Sequence, residues 1–218
     1  MLQYTKTSPN PRILLVSGIH GDEWEVIGLI KDAVDKYRDT LPPFLYIPEL
    51  SPSAVLKKTR LNGEGKDINR CFFADTDVFE VKEAQKILKP HHFDLAVSFH
   101  EDPPQDKFYL YDSGVIHEGP EVANFLAHLQ KIGIPLLSGI DDSDDPMLGY
   151  EVVEGYSAVP PGLVSIEKER GIFEFWLINT VIAKHALTLE IPGKTSLETK
   201  RAIIDVFFCL VLTQIPLP

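Results

Sequence analysis

The segment His20-Gly21-Asp22-Glu23 places an imidazole and a carboxylate three residues apart, directly after an apolar run at 12–18. A helical pattern begins at Trp24, so His20 and Glu23 can point to one side of the chain where that helix starts. Imidazole nitrogen and carboxylate oxygen are both ligands that suit Zn²⁺. Taken alone, each residue would more often be a hydrogen-bonded loop histidine or a helix-capping acid, although the spacing of the pair would let both bind one cation.

Two further polar side chains follow apolar runs later in the chain. His100 comes directly after the predicted strand 94–99, and Glu190 lies near the end of the predicted strand 185–191. In open α/β sheets, ligands bind just beyond the carboxyl ends of the strands, where the loops diverge. A catalytic zinc has three protein ligands and one open position, so His100 is the predicted third ligand.

Strand and helix patterns alternate along the chain, as they must to bring these residues to one edge of a sheet. Short apolar runs predict strands at 12–18, 43–50, 94–99, 106–112 and 185–191. Apolar residues at helical spacing predict helices at 24–37, 77–89, 119–132, 171–184 and 197–212. This alternation predicts an α/β fold with a mixed, largely parallel central sheet covered by helices on both faces.

Length and composition predict one domain over residues 1–218, since the chain is too short for two substantial cores. Residues 138–169 are dense in turn formers and acids and are predicted to form a long surface loop. The net charge of −11 argues against a nucleic-acid partner. We also expect a soluble, cytoplasmic protein without a membrane partner, because we find no signal segment and the apolar segment 202–212 is too short to span a bilayer.

The segment 57–73, KKTRLNGEGKDINRCFF, contains two turn signals flanked by Arg60 and Arg70. The ordered set of motifs is then His-x-x-Glu, Thr-Arg, Asp-x-Asn-Arg, a histidine after a strand and a glutamate inside TLEIP. In this order, the chain resembles the zinc carboxypeptidase superfamily, including its aspartoacylase and succinylglutamate desuccinylase relatives. The resemblance runs from about residue 13 to residue 193 and implies the single-domain three-layer sandwich of that superfamily.

The resemblance implies a role for each matching residue. His20, Glu23 and His100 match the ligands of one Zn²⁺ per chain. Glu190 matches the carboxylate that acts as general base and then as general acid. Arg60 matches the arginine that stabilises the oxyanion. The implied reaction is hydrolysis of an amide bond, in which Glu190 takes a proton from water and returns it to the leaving nitrogen.

The resemblance also implies how a substrate binds. Asn69 and Arg70 match the pair that grips a substrate carboxylate, and a guanidinium presents a bidentate fork to such a group. Glu174 falls where some relatives place the group that selects the departing side chain, and an acid there would favour a basic one. The competing interpretations are a structural ion pair for Arg70 and a helix-surface position for Glu174. Tyr150 and Tyr156 are the candidates for a tyrosine that closes over the substrate.

Three functions remain open at this point: a carboxypeptidase that releases a C-terminal amino acid from a small peptide, an N-acyl amino acid deacylase, and a non-catalytic relative that only binds such ligands. The deacylase relatives usually add a carboxy-terminal β domain, whereas about 25 residues follow Gly193 here. This length favours the peptidase. A protein that only binds has no chemical need for Glu190 beside a metal. The sequence does not specify an oligomeric state.

Overall fold

A seven-stranded sheet forms the centre of the protein in a computed structural model that describes residues 1–115, 119–141 and 149–215. Its strands in chain order are β1 Thr5–Lys6, β2 Ile13–Val16, β3 Phe44–Ile47, β4 Leu95–Asp102, β5 Tyr109–Gly114, β8 Tyr156–Val159 and β9 His185–Pro192. A separate antiparallel pair is formed by β6 Gly139–Ile140 and β7 Glu151–Val152. The mixed sheet predicted from the sequence is therefore confirmed.

The strand order across the sheet is β1-β3-β2-β4-β9-β5-β8. The pairs β2–β3, β2–β4, β4–β9 and β5–β8 are parallel, whereas β1–β3 and β5–β9 are antiparallel. Since β3 and β4 lie on opposite sides of β2, the chain reverses its direction of winding at β2. In open α/β sheets, such a reversal opens a crevice at the carboxyl ends of the strands.

Helices cover both faces of the sheet, which confirms a single-domain fold with three layers. The helices are α1 Trp24–Tyr37, α2 Pro52–Lys57, α3 Phe79–Leu88, α4 Glu121–Lys131, α5 Pro161–Ile166, α6 Phe173–Asn179 and α7 Leu197–Leu210. Alternate residues of β2 point to opposite faces: Ile13 and Leu15 belong to the core formed with α1, α4 and α7, and Leu14 and Val16 to the core formed with α3 and α6. Within the described residues, no helix is both long and apolar enough to cross a membrane.

The prediction of a long loop at 138–169 is wrong for most of that segment. Its described part contains β6, β7, α5 and β8, and β8 pairs with β5 in the main sheet through residues 156–159. Strands of two to four residues are too short to show an alternating pattern, and the partner of β8 lies more than 40 residues away, so local sequence does not reveal the pairing. Residues 142–148 of the predicted loop lie outside the described residues.

The helix predicted at 171–184 is shorter than expected. The structure ends α6 at Asn179, and Val181 adopts a left-handed backbone with φ of 59°. Ile182 and Ala183 are buried, and Ala183 forms an isolated parallel bridge with Phe93 just before β9 begins. Pairing with a neighbouring segment therefore overrides the helical pattern at this point.

Candidate metal centre and active site

The loop of residues 17–23 connects β2 to α1 and depends on two glycines. Gly18 has a φ of 61°, a left-handed conformation that glycine adopts without strain. Gly21 approaches α2 so closely that a Cβ would lie 2.0 Å from the carbonyl carbon of Ala54. This loop presents His20 and Glu23 just ahead of α1, rather than from the first turn of the helix as the spacing alone predicts.

His100 and Glu190 lie on neighbouring strands in the middle of the sheet. They are direct partners in the parallel register of β4 and β9. Directly paired residues on adjacent strands point to the same face, so the two side chains emerge side by side. Both residues lie two positions before the end of their strands, which places them at the crevice at the carboxyl edge.

The three predicted metal ligands converge on one point. His20 Nδ1 lies 2.5 Å from Glu23 Oε1, and His100 Nδ1 lies 3.1 Å from Glu23 Oε2. One ligand atom from each residue lies within 4.8 Å of the other two, and each residue is only 3% exposed. Two buried imidazoles around one buried carboxylate are stable when they share a cation or ion pairs. Two histidines and one glutamate form a known ligand set of catalytic zinc sites, so these residues fit zinc.

A carboxylate lies behind each histidine of the cluster. His20 Nε2 is 3.1 Å from Asp67 Oδ1, and the other oxygen of Asp67 accepts a hydrogen bond of 3.1 Å from Arg60 Nε. His100 Nε2 is 3.8 Å from Glu174 Oε1. Carboxylates in these positions orient ligand imidazoles and keep the opposite ring nitrogen turned toward the metal. The role of Asp67 was not predicted from the sequence, although its place in the Asp-x-Asn-Arg motif was a usable signal.

The predicted carboxylate-binding pair also lies at this site. Asn69 Oδ1 accepts a hydrogen bond of 2.8 Å from the backbone of Phe173, which fixes the start of α6 and leaves the side-chain N–H groups as donors. Arg70 Nη1 donates to the Asn69 backbone carbonyl at 2.8 Å. Among the described residues, Arg70 forms no ion pair with a carboxylate, so the competing interpretation as a structural ion pair finds no support there.

The eight residues predicted to act in catalysis, substrate binding or metal ligation line one cavity of about 450 Å³, namely His20, Glu23, Arg60, Asn69, Arg70, His100, Glu174 and Glu190. The structure therefore brings together residues that are up to 170 positions apart in the chain. A cavity of this size with a few converging polar groups is typical of a small-molecule binding site.

The catalytic-domain model of succinylglutamate desuccinylase and aspartoacylase matches residues 9–167 of the sequence. The chain belongs to this family. No curated protein matches the sequence significantly. Membership of the family indicates a hydrolase of the carboxypeptidase-like superfamily.

Solved structures share the fold across nearly the whole chain. A candidate metallopeptidase from Shewanella amazonensis SB2B is 19% identical with a TM-score of 0.73, and the match covers 96% of this chain and 82% of that protein. The product-bound ectoine utilization protein EutE of Ruegeria pomeroyi is 18% identical with a TM-score of 0.59, covering 96% and 60%. A succinylglutamate desuccinylase/aspartoacylase from Rhodobacter sphaeroides is 21% identical with a TM-score of 0.51, covering 96% and 59%. This chain thus spans about three fifths of the last two proteins.

Electrostatics separates the two buried glutamates of this desuccinylase/aspartoacylase-type site. Burial raises the pKa of Glu190 from 4.5 to about 8, and the charges of Glu23 and Asp102 add to this against the opposing effect of His100. Burial also raises the pKa of Glu23, but the charges and hydrogen bonds of His100 and His20 outweigh it and lower that pKa to about 2. Among the described residues, the side chain of Glu190 has no hydrogen-bond partner. Glu23 is thus an anion suited to a metal, whereas burial in the metal-free site favours the protonated form of Glu190.

Tyrosines line the cavity on the side of β5. The hydroxyl of Tyr109 donates to Asp102 at 2.8 Å, and the hydroxyl of Tyr111 donates to Asp141. Of the two candidates for a closing tyrosine, Tyr150 lines this cavity. Tyr156 instead lies on β8, where its hydroxyl donates to Asp112 at 2.8 Å beside a second cavity.

A buried lysine supports the cluster from α7. Lys200 is fully buried, and its Nζ donates to Glu101 Oε1 at 2.8 Å and to Glu25 Oε2 at 2.7 Å. The backbone N–H of Glu101 donates to Glu23 Oε2 at 3.2 Å. Lys200 thus neutralises Glu101, the acid that follows His100. Glu101 in turn holds one oxygen of the predicted metal ligand Glu23 through its backbone N–H. Lys200 was not predicted from the sequence, because a lysine within an amphipathic helix is usually exposed.

Proposed function

We propose that the protein is a zinc-dependent hydrolase that cleaves an amide bond next to a free carboxylate and releases a C-terminal amino acid from a small peptide. The observation that carries this proposal is the convergence of three kinds of group on one cavity. These are the His20–Glu23–His100 cluster for the metal, the carboxylate of Glu190 for proton transfer and Arg70 for the substrate carboxylate. Metal-assisted hydrolysis of an amide next to a free carboxylate uses all three: a metal, a group that moves a proton and a cation that binds the carboxylate.

Substrate binding is assigned to the residues at 69 and 70. The guanidinium of Arg70 is not used by another carboxylate in the described part of the chain and can form a bidentate pair with the free carboxylate of the substrate. The amide N–H groups of Asn69 supply a further donor, since its oxygen is already engaged with α6. Binding of the substrate carboxylate fixes the scissile carbonyl relative to Glu190. Holding the reacting groups in this geometry lowers the barrier to reaction.

Proton transfer is assigned to Glu190. When bound, zinc would polarise the scissile carbonyl and the attacking water. The carboxylate of Glu190 accepts the proton of that water and later delivers it to the leaving nitrogen. Arg60, held by Asp67, donates to the oxygen that becomes negative, and one well-placed donor of this kind is worth about 3 kcal/mol.

The charge of the cavity supports a peptide rather than a succinylated substrate. Besides Glu190, the cavity is lined by Asp102 and Asp141, whose carboxylates accept hydrogen bonds from tyrosine hydroxyls. A second carboxylate in the acyl part of the substrate would meet these like charges, which disfavours its binding. A neutral or cationic acyl part avoids this repulsion. An N-acyl amino acid deacylase with a neutral acyl group is the second candidate, and the desuccinylase/aspartoacylase family model is the observation that favours it.

The deciding experiment is mass spectrometry of products formed by zinc-loaded protein from a pool of dipeptides, cell-wall peptides and N-acyl amino acids. Loss of C-terminal residues from peptides supports the peptidase. Free amino acids released from acylated substrates alone would establish the deacylase instead. The matched control is Glu190→Gln at equal zinc content, which should form product about 10²- to 10⁴-fold more slowly. A pool left intact by the wild-type protein would contradict both enzymatic candidates and favour the relative that only binds such ligands.

A further inference from the structure

Glu174 occupies a position that the sequence assigned to substrate selection, but its contacts point elsewhere. It is the second residue of α6, is 3% exposed and accepts a hydrogen bond from Ser98 Oγ. Ser98 lies two residues before His100 on β4, so both side chains emerge on the same face of that strand. The strand that presents His100 therefore also holds the carboxylate behind it.

The two nitrogens of the His100 ring face different groups. Nδ1 is 3.1 Å from Glu23 Oε2, toward the candidate metal site, and Nε2 is 3.8 Å from Glu174 Oε1. Nε2 is buried and has no hydrogen-bond partner among the described residues. A buried N–H without a partner costs free energy. A small shift of the His100 ring toward Glu174 would form the missing hydrogen bond. The other histidine of the cluster has the same arrangement, since His20 Nε2 is 3.1 Å from Asp67.

We propose that Glu174 is a positioning residue for His100. By accepting the Nε2 hydrogen, it holds the ring in the tautomer whose Nδ1 lone pair points to the metal. This role rests on the proposed function in that it takes His100 as a metal ligand. It replaces the role in selecting a basic side chain, because Ser98 and His100 already occupy the environment of the carboxylate. Glu174 and Asp67 then form a matched pair, one behind each histidine.

The first test measures zinc affinity by competition with a chromophoric chelator. Glu174→Ala is expected to weaken zinc binding by about 10- to 100-fold, the usual effect of losing such a partner. Glu174→Gln, which keeps the shape and an acceptor oxygen, should lose less. Asp102→Asn is the matched control, since it removes one charge from the same cavity at a carboxylate that accepts a hydrogen bond from Tyr109, and its loss should be much smaller. Unchanged affinity in Glu174→Ala would overturn the proposal.

A second measurement needs no metal. Long-range ¹H–¹⁵N NMR of the metal-free protein, at a pH where His100 is neutral, reports which ring nitrogen carries the hydrogen. The wild type should show the Nε2–H form, and Glu174→Ala a mixture of both forms. The same mixture in the wild type would refute the role of Glu174. If the wild type bound no zinc, the proposed function would fail, while this spectrum would still decide how Glu174 acts on His100.

Substrate preference separates positioning from selection. If Glu174 positions His100, Glu174→Gln should cleave peptides ending in basic and apolar residues less efficiently but in the same ratio as the wild type. Loss of a preference for basic residues at unchanged zinc affinity would instead make Glu174 a specificity residue and contradict the proposal. Urea unfolding of the metal-free variants verifies that each one is folded.

Discussion

The two halves of the candidate metal centre are held in different ways. His100 and Glu190 form the strand half, on β4 and β9, where the register of the sheet alone makes them neighbours. His20 and Glu23 form the loop half, between β2 and α1, where their positions depend on contacts from separate segments. Among these contacts are the close approach of Gly21 to α2 and the hydrogen bond between Asp67 and His20.

This difference predicts that substitutions in the two halves have different effects. Ladder hydrogen bonds hold the strand half in place whatever its side chains do, so a substitution there should alter the reaction and leave the backbone intact. The loop half has no such ladder, and its geometry depends on a few specific contacts. Substitutions that shift the backbone of the loop half should therefore lower the stability of the protein and its affinity for the metal together.

Glu190→Gln should have the largest effect on turnover. The amide cannot accept a proton from water, and general acid–base catalysis by a positioned side chain contributes about 10²- to 10⁴-fold. We expect a loss of kcat of that size, with zinc content unchanged because the ligand cluster stays complete. Peptide or acyl-amino-acid hydrolysis and elemental analysis on the same sample measure both quantities. Full activity in this variant would remove Glu190 from the mechanism.

His20→Ala, in the loop half, should lose zinc first and activity as a consequence, whereas Glu190→Gln loses activity and keeps zinc. Removing one of three ligands lowers zinc stoichiometry well below one per chain, and activity falls in proportion to the lost metal. Elemental analysis after dialysis against a weak chelator checks the stoichiometry. The comparison with Glu190→Gln is the control, since that variant should remain fully loaded. Equal, full zinc occupancy in both would show that His20 is not a ligand.

Gly21→Ala tests how tightly the loop half is packed. A Cβ at this position would lie 2.0 Å from the backbone of Ala54, so the loop or α2 must shift, at about 1–3 kcal/mol in the free energy of unfolding. Gly28→Ala is the matched control, because nothing lies within 4 Å of its Cβ in the middle of α1 and alanine favours helix by about 1 kcal/mol. Urea unfolding of the metal-free proteins compares them. Equal stability of the two variants would contradict the close approach.

The strand half was largely predictable from the sequence, and the loop half only in part. Apolar runs ending in polar residues predict that His100 and Glu190 reach one edge of a parallel sheet. The spacing of His20 and Glu23 predicts their contact, but the structure makes that contact in a loop held by α2, a six-residue helix that was not predicted from the sequence. Short elements and contacts between distant segments leave no periodic signal in the local sequence.

The partners behind the site show the same limit. Glu174 was identified as a site residue through the resemblance, but its approach to His100 becomes visible only when α6 packs beside β4. Lys200 was not identified, because its burial depends on the meeting of α7 with Glu101 and Glu25. A sequence motif gives the types and order of residues along the chain. It does not indicate which side chains of separate helices and strands contact each other.

The pH dependence of stability isolates the electrostatic part of the strand half. Burial raises the pKa of Glu190 to about 8 in the folded protein, against 4.5 for an ordinary glutamate. Between these values, folded Glu190 keeps a proton that the unfolded chain has released, so a rise in pH favours unfolding. Below pH 4.5 this penalty is absent, and above pH 8 it is complete.

Metal-free wild type should therefore lose stability relative to metal-free Glu190→Gln as the pH rises from about 5 to about 8, by up to about 4 kcal/mol. Urea unfolding of both proteins with a chelator present measures the difference at each pH. Other titrating groups are common to both proteins, so their contributions largely cancel in the comparison. Parallel stability profiles would mean that Glu190 ionises as an ordinary glutamate does, and the pocket would then contain more water than its burial indicates. A difference that grows with pH would show that folding raises the pKa of Glu190 in the strand half.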